Sequence, residues 1–495
     1  MTRQNVNEFK YACREFLSKQ GIAALRPYGR EVGVAEPTKK NKEELISAIV
    51  AVLAGELAPI PRSKKGAPVK DDFVDPNIHE YMAYLCKCYP AVSELQCDDL
   101  DIQSRLKELK EHPFILKVED PNARALERKE SREIFKGQLE TLNGVSMLLP
   151  LNCMNSVEKI IISVELIRVY SLREGDVVTC HAEKRNNVLV AIEVLTINEL
   201  IVDSFKRVDF ESSEVHFPEK SIHFYSEKYN SPTSKYLQWL IPVAKGQRGL
   251  VLAPPKAGKS SLLLESVSAA LKLNKSMRVF TLLVDQSPEN IGLFRKVTGG
   301  ENFVYTTYED EPDRQVFVAE FILKRAKRYA ECGLDVLLVV DSFSALAHAY
   351  NETDASVGGK LLLGGLESKT VHYLKRFFGT ARCLGNGGSV TILGALAVDT
   401  GNPMDEILKA ELSSIGNLEV SLSDELAKRR IYPSIDLVHS QGNHSSIQLE
   451  ERERAFDAFL RSSYLPAFGN EALLELLKQS SSFEELEEKV YQAIK

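Results

Sequence analysis

The sequence predicts an α/β protein in which a parallel sheet between helices carries a phosphate loop, with a small β-barrel and a helical module ahead of it. Three observations support this. Between about Ser231 and His444 the apolar runs GLVLAPP, VFTLLVDQ, VLLVVDS and SVTILGALA alternate with helical patterns. Continuous Val/Leu runs of this kind are strands buried on both faces, hence parallel. The first run leads through Lys256-Ala-Gly-Lys-Ser260 into the helical pattern SLLLESVSAAL. From Gly137 the pattern is different, with short strands LETL, KIIISVELI, DVVTCHAEKR and NVLVAIEVLTI set apart by Asn-Gly, Arg-Glu-Gly-Asp and Asn-Asn turns.

In chain order, residues 1–55 read as a helical module. Asn7 to Leu17 has helical character, and Lys40 to Val50 is amphipathic, with Leu45, Ile46, Ile49 and Val50 as its apolar stripe. The intervening RPYGREVGVAEPTKK reads as a solvated turn, with a phosphate-touching turn as the alternative. Residues 56–132 form a spacer: PIPRSKKGAPVKDD is linker, and a charged helical stretch runs from about Leu100 to Lys136. Residues 133–205 suit a small barrel of the oligonucleotide-binding or cold-shock type. The ATP-binding domain is expected over 206–445 and a helical segment over 446–495.

Composition narrows the class. The chain has 495 residues, 44% hydrophobic and 26% charged, which excludes a disordered or fibrous protein. No apolar run approaches the roughly 20 residues of a membrane span, and MTRQNVNEFK lacks the apolar core of a signal peptide, so a cytoplasmic location is expected. With 62 basic against 69 acidic side chains the chain is no polycationic coat, though a local basic groove remains open. Eight scattered cysteines read as reduced thiols, and Cys86, Cys88 and Cys97 are poorly spaced for zinc.

The phosphate loop carries the chemistry. A strand–loop–helix junction aims backbone N–H groups and a helix dipole at one point, which suits a polyphosphate. Gly258 allows close backbone approach, Lys259 reaches the β and γ phosphates, and Ser260 offers a hydroxyl to Mg²⁺. Ala253 stands at the first glycine of the usual G-x-x-x-x-G-K-[ST] pattern, but the strand and helix flanks are in place. Asp341, ending VLLVVD, is placed to hold Mg²⁺ through water. ATP and Mg²⁺ are therefore the expected ligands.

GQRGLVLAPPKAGKS, LLVVDS followed by AHAYN, GGKLLLGG, KRFFGTAR, VDTGNPMDE and AKRRIYPSID occur in the order they take in the transcription termination factor Rho family, which this chain resembles from about Lys235 to Asp436 and more weakly in SVELIRVYSLREGDVV. A rotary-type ATPase subunit would not explain GGKLLLGG or KRFFGTAR. The resemblance implies a RecA-like motor domain in a hexameric ring that hydrolyses ATP between subunits and pulls single-stranded RNA through its centre. It implies nucleotide contacts at Lys245, Gly246, Gln247, Arg248 and Gly249, at Lys256, Ala257, Gly258, Lys259, Ser260 and Ser261, and at Ser287 and Arg430. It further implies an aromatic stack on adenine at Tyr432 and an RNA-gripping pore loop at Lys360.

The departures fall on functional positions. Gln286 stands where the family has a water-polarising glutamate, and Ser287 replaces the next arginine. A carboxamide cannot accept the proton, a loss worth about 10²–10⁴ in rate. The segment after Asp436 offers His444 or His439 where the family has its arginine finger, worth about 10³–10⁵. Pro403 replaces a pore-loop lysine, and Gly144, Val145, Ser146 and Met147 replace a Gly-Phe-Gly-Phe strand whose rings stack on bases. Two functions stay open: an RNA-dependent ATPase and translocase, or a non-hydrolysing paralogue that binds nucleotide and modulates a partner ring. The expected partners are RNA, further copies or another Rho chain in a mixed ring, and RNA polymerase.

Overall fold

The computed structural model describes residues 20–54, 133–153, 159–185, 188–202, 204–355, 360–442 and 450–494, with isolated positions between 10 and 18 and at 57, 78 and 82. The chain divides into two compact units, 1–121 and 122–495. Among the described residues no helix is long and apolar enough to cross a membrane.

In the first unit, helices α1 (Ile22–Val32) and α2 (Lys42–Leu53) pack together over Leu25, Tyr28, Leu45, Ile46, Ile49 and Val50. Asn41 starts α2 through a reciprocal capping box with Glu44. The expected turn at RPYGREV is instead most of α1, with Pro27 inside the helix. Tertiary packing overrides the local breaker here: Tyr28 and Pro27 are buried, and a Cβ on Gly29 would lie 3.0 Å from Leu45. The cysteines at 86, 88 and 97 and most of the charged stretch lie outside the described residues. Its last four positions, 133–136, are strand rather than helix.

The second unit begins with six strands: β1 (Glu133–Leu142), β2 (Val145–Leu149), β3 (Ile160–Ile161), β4 (Val177–Arg185), β5 (Val188–Ile197) and β6 (Leu200–Ile201). Their order is β3-β2-β1-β4-β5-β6, and β3 also pairs with β5, so the first five close into a barrel. Leu139, Leu148, Ile160, Val178, Cys180, Ala191 and Val194 fill it. The expected strand KIIISVELI is strand only at Ile160–Ile161. Ser163 then accepts from the Leu166 N–H and starts a short helix, Val164–Val169.

The larger sheet holds β7 (Val215–His216), β8 (Arg248–Ala253), β9 (Arg278–Gln286), β10 (Phe303–Thr307), β11 (Asp335–Asp341), β12 (Arg382–Leu384), β13 (Ser389–Ala397), β14 (Leu418–Leu422) and β15 (Ile435–Gly442). Its main path is β10-β9-β11-β13-β8-β14-β15, parallel except for the antiparallel edge strand β15. The central strands are buried along nearly their whole length, as continuous apolar runs require. Helices α3 (Lys259–Leu273), α4 (Pro288–Thr298), α5 (Pro312–Glu331), α6 (Phe343–Ala355), α7 (Ser368–Phe378) and α8 (Pro403–Ser413) connect them. The chain closes with α9 (Glu451–Phe459), α10 (Leu465–Gln479) and α11 (Phe483–Ile494).

The barrel is seated on α5. The fully buried Arg325 donates to Gln138 Oε1 (2.8 Å) and to the carbonyls of Leu151 (2.6 Å) and Glu301 (2.9 Å), with its guanidinium over Phe280 and Phe321. Burial pulls its pKa down to about 10, outweighing the upward pull of nearby groups that include Glu301 and Glu199. Beside it Gly175, at φ 92°, has no room for a side chain, since a Cβ would lie 2.7 Å from the Lys324 backbone. Buried Asp176 accepts from Asn198 Nδ2 (2.9 Å) and pairs with Arg207, while buried Glu331 pairs with Arg173 and Arg328.

Candidate nucleotide-binding site

Strand β8 delivers the chain to the phosphate loop at the C-terminal edge of the parallel sheet, and α3 leaves from it. Gly258 caps α3 at φ 89°, and a Cβ there would lie 3.1 Å from the Tyr432 ring, so both backbone and space call for glycine. Asp341, fully buried, ends strand β11, which β13 separates from β8. Ser260 Oγ donates to Asp341 Oδ2 at 2.6 Å, and Lys259 Nζ lies 3.1 Å from Asp341 Oδ1. The structure therefore brings the hydroxyl, the ammonium and the carboxylate together. Two hard oxygen donors side by side at a helix N-terminus fit Mg²⁺, and the ammonium and loop N–H groups fit phosphate.

A cavity of about 100 Å³ opens beside the loop, between Gly258, Ser261 and Leu262 on α3 and Leu422 and Tyr432 opposite. Tyr432 is 48% exposed, leaving a ring face free to stack. Ser434 Oγ donates to the Ala257 carbonyl (2.6 Å), which ties the Tyr432 segment to the phosphate loop. Lys256 sits exposed in the loop at φ 65°, and Arg430 sits exposed at φ 59° two residues before Tyr432.

Gln286 ends β9 beside β11 and is 8% exposed. Its Nε2 donates to the carbonyls of Val284 (3.3 Å) and Asp341 (3.4 Å), and its Oε1 accepts from Asn290 Nδ2 (3.1 Å). Ser287 is the N-cap of α4, with its hydroxyl directed at the Asn290 N–H, so this side chain is engaged by the helix start rather than turned to the phosphate loop.

Five residues expected at the nucleotide do not reach it within this chain. Lys245, Gly246, Gln247, Arg248 and Gly249 lie at the opposite end of β8, roughly 17 Å of strand away. The physical reason is the strand itself, since a parallel strand carries its entry and its exit to opposite edges of the sheet. Lys245 pairs with Asp335 at the start of β11 (2.6 Å) and Gln247 is fully buried. Arg248 donates to the carbonyls of Ile415 and Ala381, and Gly249 packs against Leu393 and Leu418. Gly246 turns at φ 83°, where a Cβ would clash with Cys383 Sγ.

Of the RNA candidates, Lys360 is exposed on the loop between α6 and α7. Pro403 is the first residue of α8, behind the Asn402 cap, where a missing N–H is harmless. The two loops touch, because a Cβ on Gly364 would fall 2.8 Å from the Met404 nitrogen. In the barrel Gly144 forms the β1–β2 turn at φ 76°, Val145 is 42% exposed, and Ser146 Oγ lies 3.3 Å from Thr141 Oγ1. Met147 packs instead onto the core cluster that runs from Leu149 into the larger sheet. His444 lies outside the described residues. Before it, His439 Nδ1 lies 2.6 Å from Asp436 Oδ2, and Asn470 Nδ2 donates to Asp436 Oδ1 (3.0 Å).

Sequence reasoning missed Asn290, the wall residues Pro232, Thr233 and Glu265, and Arg325. Only Glu265 had a legible signal: positions 258, 261, 262 and 265 recur at helical spacing from the phosphate loop.

A phosphate loop joined to a strand-end aspartate at the edge of a parallel sheet defines a P-loop nucleotide-binding protein. The model of the ATP synthase alpha/beta family, nucleotide-binding domain, accordingly matches residues 234–442. The transcription termination factor Rho of Karelsulcia muelleri (strain SMDSEM) is 34% identical over 306 residues, 61% of this chain and 79% of the relative. That of Bacillus subtilis (strain 168) is 33% identical over 358 residues, covering 71% of this chain and 83% of the relative. That of Pseudomonas aeruginosa is 32% identical, covering 66% and 80%. The chain belongs to the transcription termination factor Rho family.

Proposed function

We propose that this chain is a cytoplasmic, ring-forming Rho-type protein that binds Mg-ATP and single-stranded RNA in transcription termination, and that it holds nucleotide far longer than it hydrolyses it. The observation that carries the second half is the setting of Gln286. Its amide nitrogen faces two backbone carbonyls and its oxygen takes a proton from Asn290, so both ends of the carboxamide are engaged. A carboxylate in the same pose would set an anion against two carbonyl oxygens. The site is fitted to a neutral amide, which can orient a water but cannot take its proton.

Binding keeps its parts. Ser260 and Asp341 would hold Mg²⁺, which neutralises phosphate charge when bound, while Lys259 and the loop N–H groups hold the phosphates and Tyr432 the base. RNA contact in this reading depends on Lys360 at the pore more than on the barrel, whose Val145 and Met147 offer no ring to stack on. The engaged Gln286 favours a regulatory member of a mixed ring over an independent translocase. Two measurements test this: Mg-ATP should raise the melting temperature of the purified protein, and saturating RNA should produce little phosphate release. Robust RNA-stimulated hydrolysis by the wild type would rule out the hydrolysis-poor reading.

A further inference from the structure

We propose that Glu265 sets the base preference of the cavity, admitting a purine with a 6-amino group and rejecting one with a 6-keto oxygen. The inference rests on the reading of the Tyr432 cavity as the base pocket. Glu265 stands seven residues beyond Gly258 along α3, so Gly258, Ser261, Leu262 and Glu265 form one stripe facing Tyr432. Among the lining residues it is the only one with a charge. A ring stacked on Tyr432 is held whatever base it belongs to, because every base has a π-face. Discrimination must come from the edge of the ring, and Glu265 is the charged group on the wall such an edge would meet.

The carboxylate is oriented. Ser231 Oγ donates to Glu265 Oε2 at 3.1 Å, and Ser231 is itself fixed as the N-cap of the short helix Pro232–Lys235. Pro232 and Thr233 of that helix complete the same wall. Glu265 Oε1 has no hydrogen-bond partner among the described residues. A carboxylate only accepts, so opposite the 6-position it welcomes an amino N–H and opposes a keto oxygen, and a 6-keto purine can offer it only the N1–H one position away. A hydrogen bond to a charged group contributes enough for about 10- to 100-fold in affinity.

The test compares Mg-ATP with Mg-ITP, which carries the 6-keto group, by ligand-dependent thermal shift and competition on the full chain. The wild type should bind ATP about tenfold or more tightly than ITP. Glu265→Leu, at an exposed position, should bring the ratio close to one. Glu265→Gln, whose amide can donate to a keto oxygen, should bring the ratio down by improving ITP. An unchanged ratio in both variants, or a wild type that binds ITP or GTP as tightly as ATP, overturns the inference while leaving the nucleotide site standing. Absence of any nucleotide binding overturns the pocket assignment and this inference with it.

Discussion

The two flanks of the nucleotide site are built on strand ends of one sheet, β8 and β11 for one and β9 for the other, yet they use opposite chemistry. On the phosphate flank Lys259, Ser260 and Asp341 are charged or strongly polar and engage one another directly. On the water flank Gln286 and Asn290 are neutral amides that satisfy each other and the adjacent carbonyls. In the proposed reading the first set would exchange these internal contacts for phosphate and Mg²⁺. The second is held by its own hydrogen bonds and carries no titratable group. In the proposed reading, binding rests on the ends of β8 and β11 and turnover on the end of β9.

The largest change should come from rebuilding the water flank. Gln286→Glu together with His444→Arg, or with Asn443→Arg should the finger fall one residue earlier, is expected to raise steady-state phosphate release at saturating RNA by about 10² or more. Either change alone should give less than about tenfold, since a base and a trans cation act on opposite sides of one phosphate. A wild type that already matches the double variant would erase the distinction between the flanks.

Disabling the phosphate flank comes next. At Mg-ATP 100-fold above Kd the wild type should gain about 2.7 kcal/mol of stability, read as a rise in melting temperature. Lys259→Ala should abolish that rise, and should also lower the ligand-free melting temperature because buried Asp341 loses its ammonium partner.

Gln286→Glu should also lower stability, by about 1–3 kcal/mol at pH 7, because it points a buried carboxylate at the Val284 and Asp341 carbonyls. Burial raises the pKa of such an acid, so the penalty should be present at neutral pH and fade as pH falls through the raised value. Denaturant melts of the variant and wild type at pH 5 and pH 8 compare the two; a pH-independent difference would argue against a charged carboxylate in that place.

Lys360→Ala should weaken RNA binding and reduce the slope of log affinity against log salt by about 1, the signature of one lost phosphate contact. Tight RNA binding by a protein carrying this change would move the grip back to the barrel.

The smallest effect concerns the root of the segment that carries His444. Burial alone would raise the Asp436 pKa, but hydrogen bonds from His439 and Asn470 outweigh it and hold the group below its usual value of 3.8. A carboxylate depressed in the folded state contributes stability above 3.8 that disappears as pH falls through the lower folded value. His439→Ala should therefore shift acid unfolding to slightly higher pH and cost no more than about 1 kcal/mol at pH 6, since His439 is largely exposed.

Period and punctuation make much of this legible in advance. The four buried strands are readable because Val/Leu runs have few alternatives, and Lys256 to Ser260 because glycine, lysine and hydroxyl at that spacing serve one chemistry. KIIISVELI misleads past Ile161 because β-branched residues mask a serine cap, and RPYGREV misleads because Pro27 advertises a break that packing overrules. Lys245 to Gly249 adjoin the phosphate loop in sequence but not in space, since an extended strand separates neighbours by its full length.

By itself the sequence determined the family, the parallel sheet and the identity of the groups that can hold phosphate and Mg²⁺, since these follow from residue types at short separations. Only the tertiary structure decided which of those groups meet. Asp341 reaches Ser260 across 81 residues because β11 lies one strand from β13, which in turn adjoins β8. Gln286 finds Asn290 and the Asp341 carbonyl, Glu265 faces Tyr432, and Arg325 is buried beneath Gln138, 187 residues earlier in the chain. Local propensity acts over a few residues, whereas these contacts are set by the order of strands in a sheet and by the burial that holds it together.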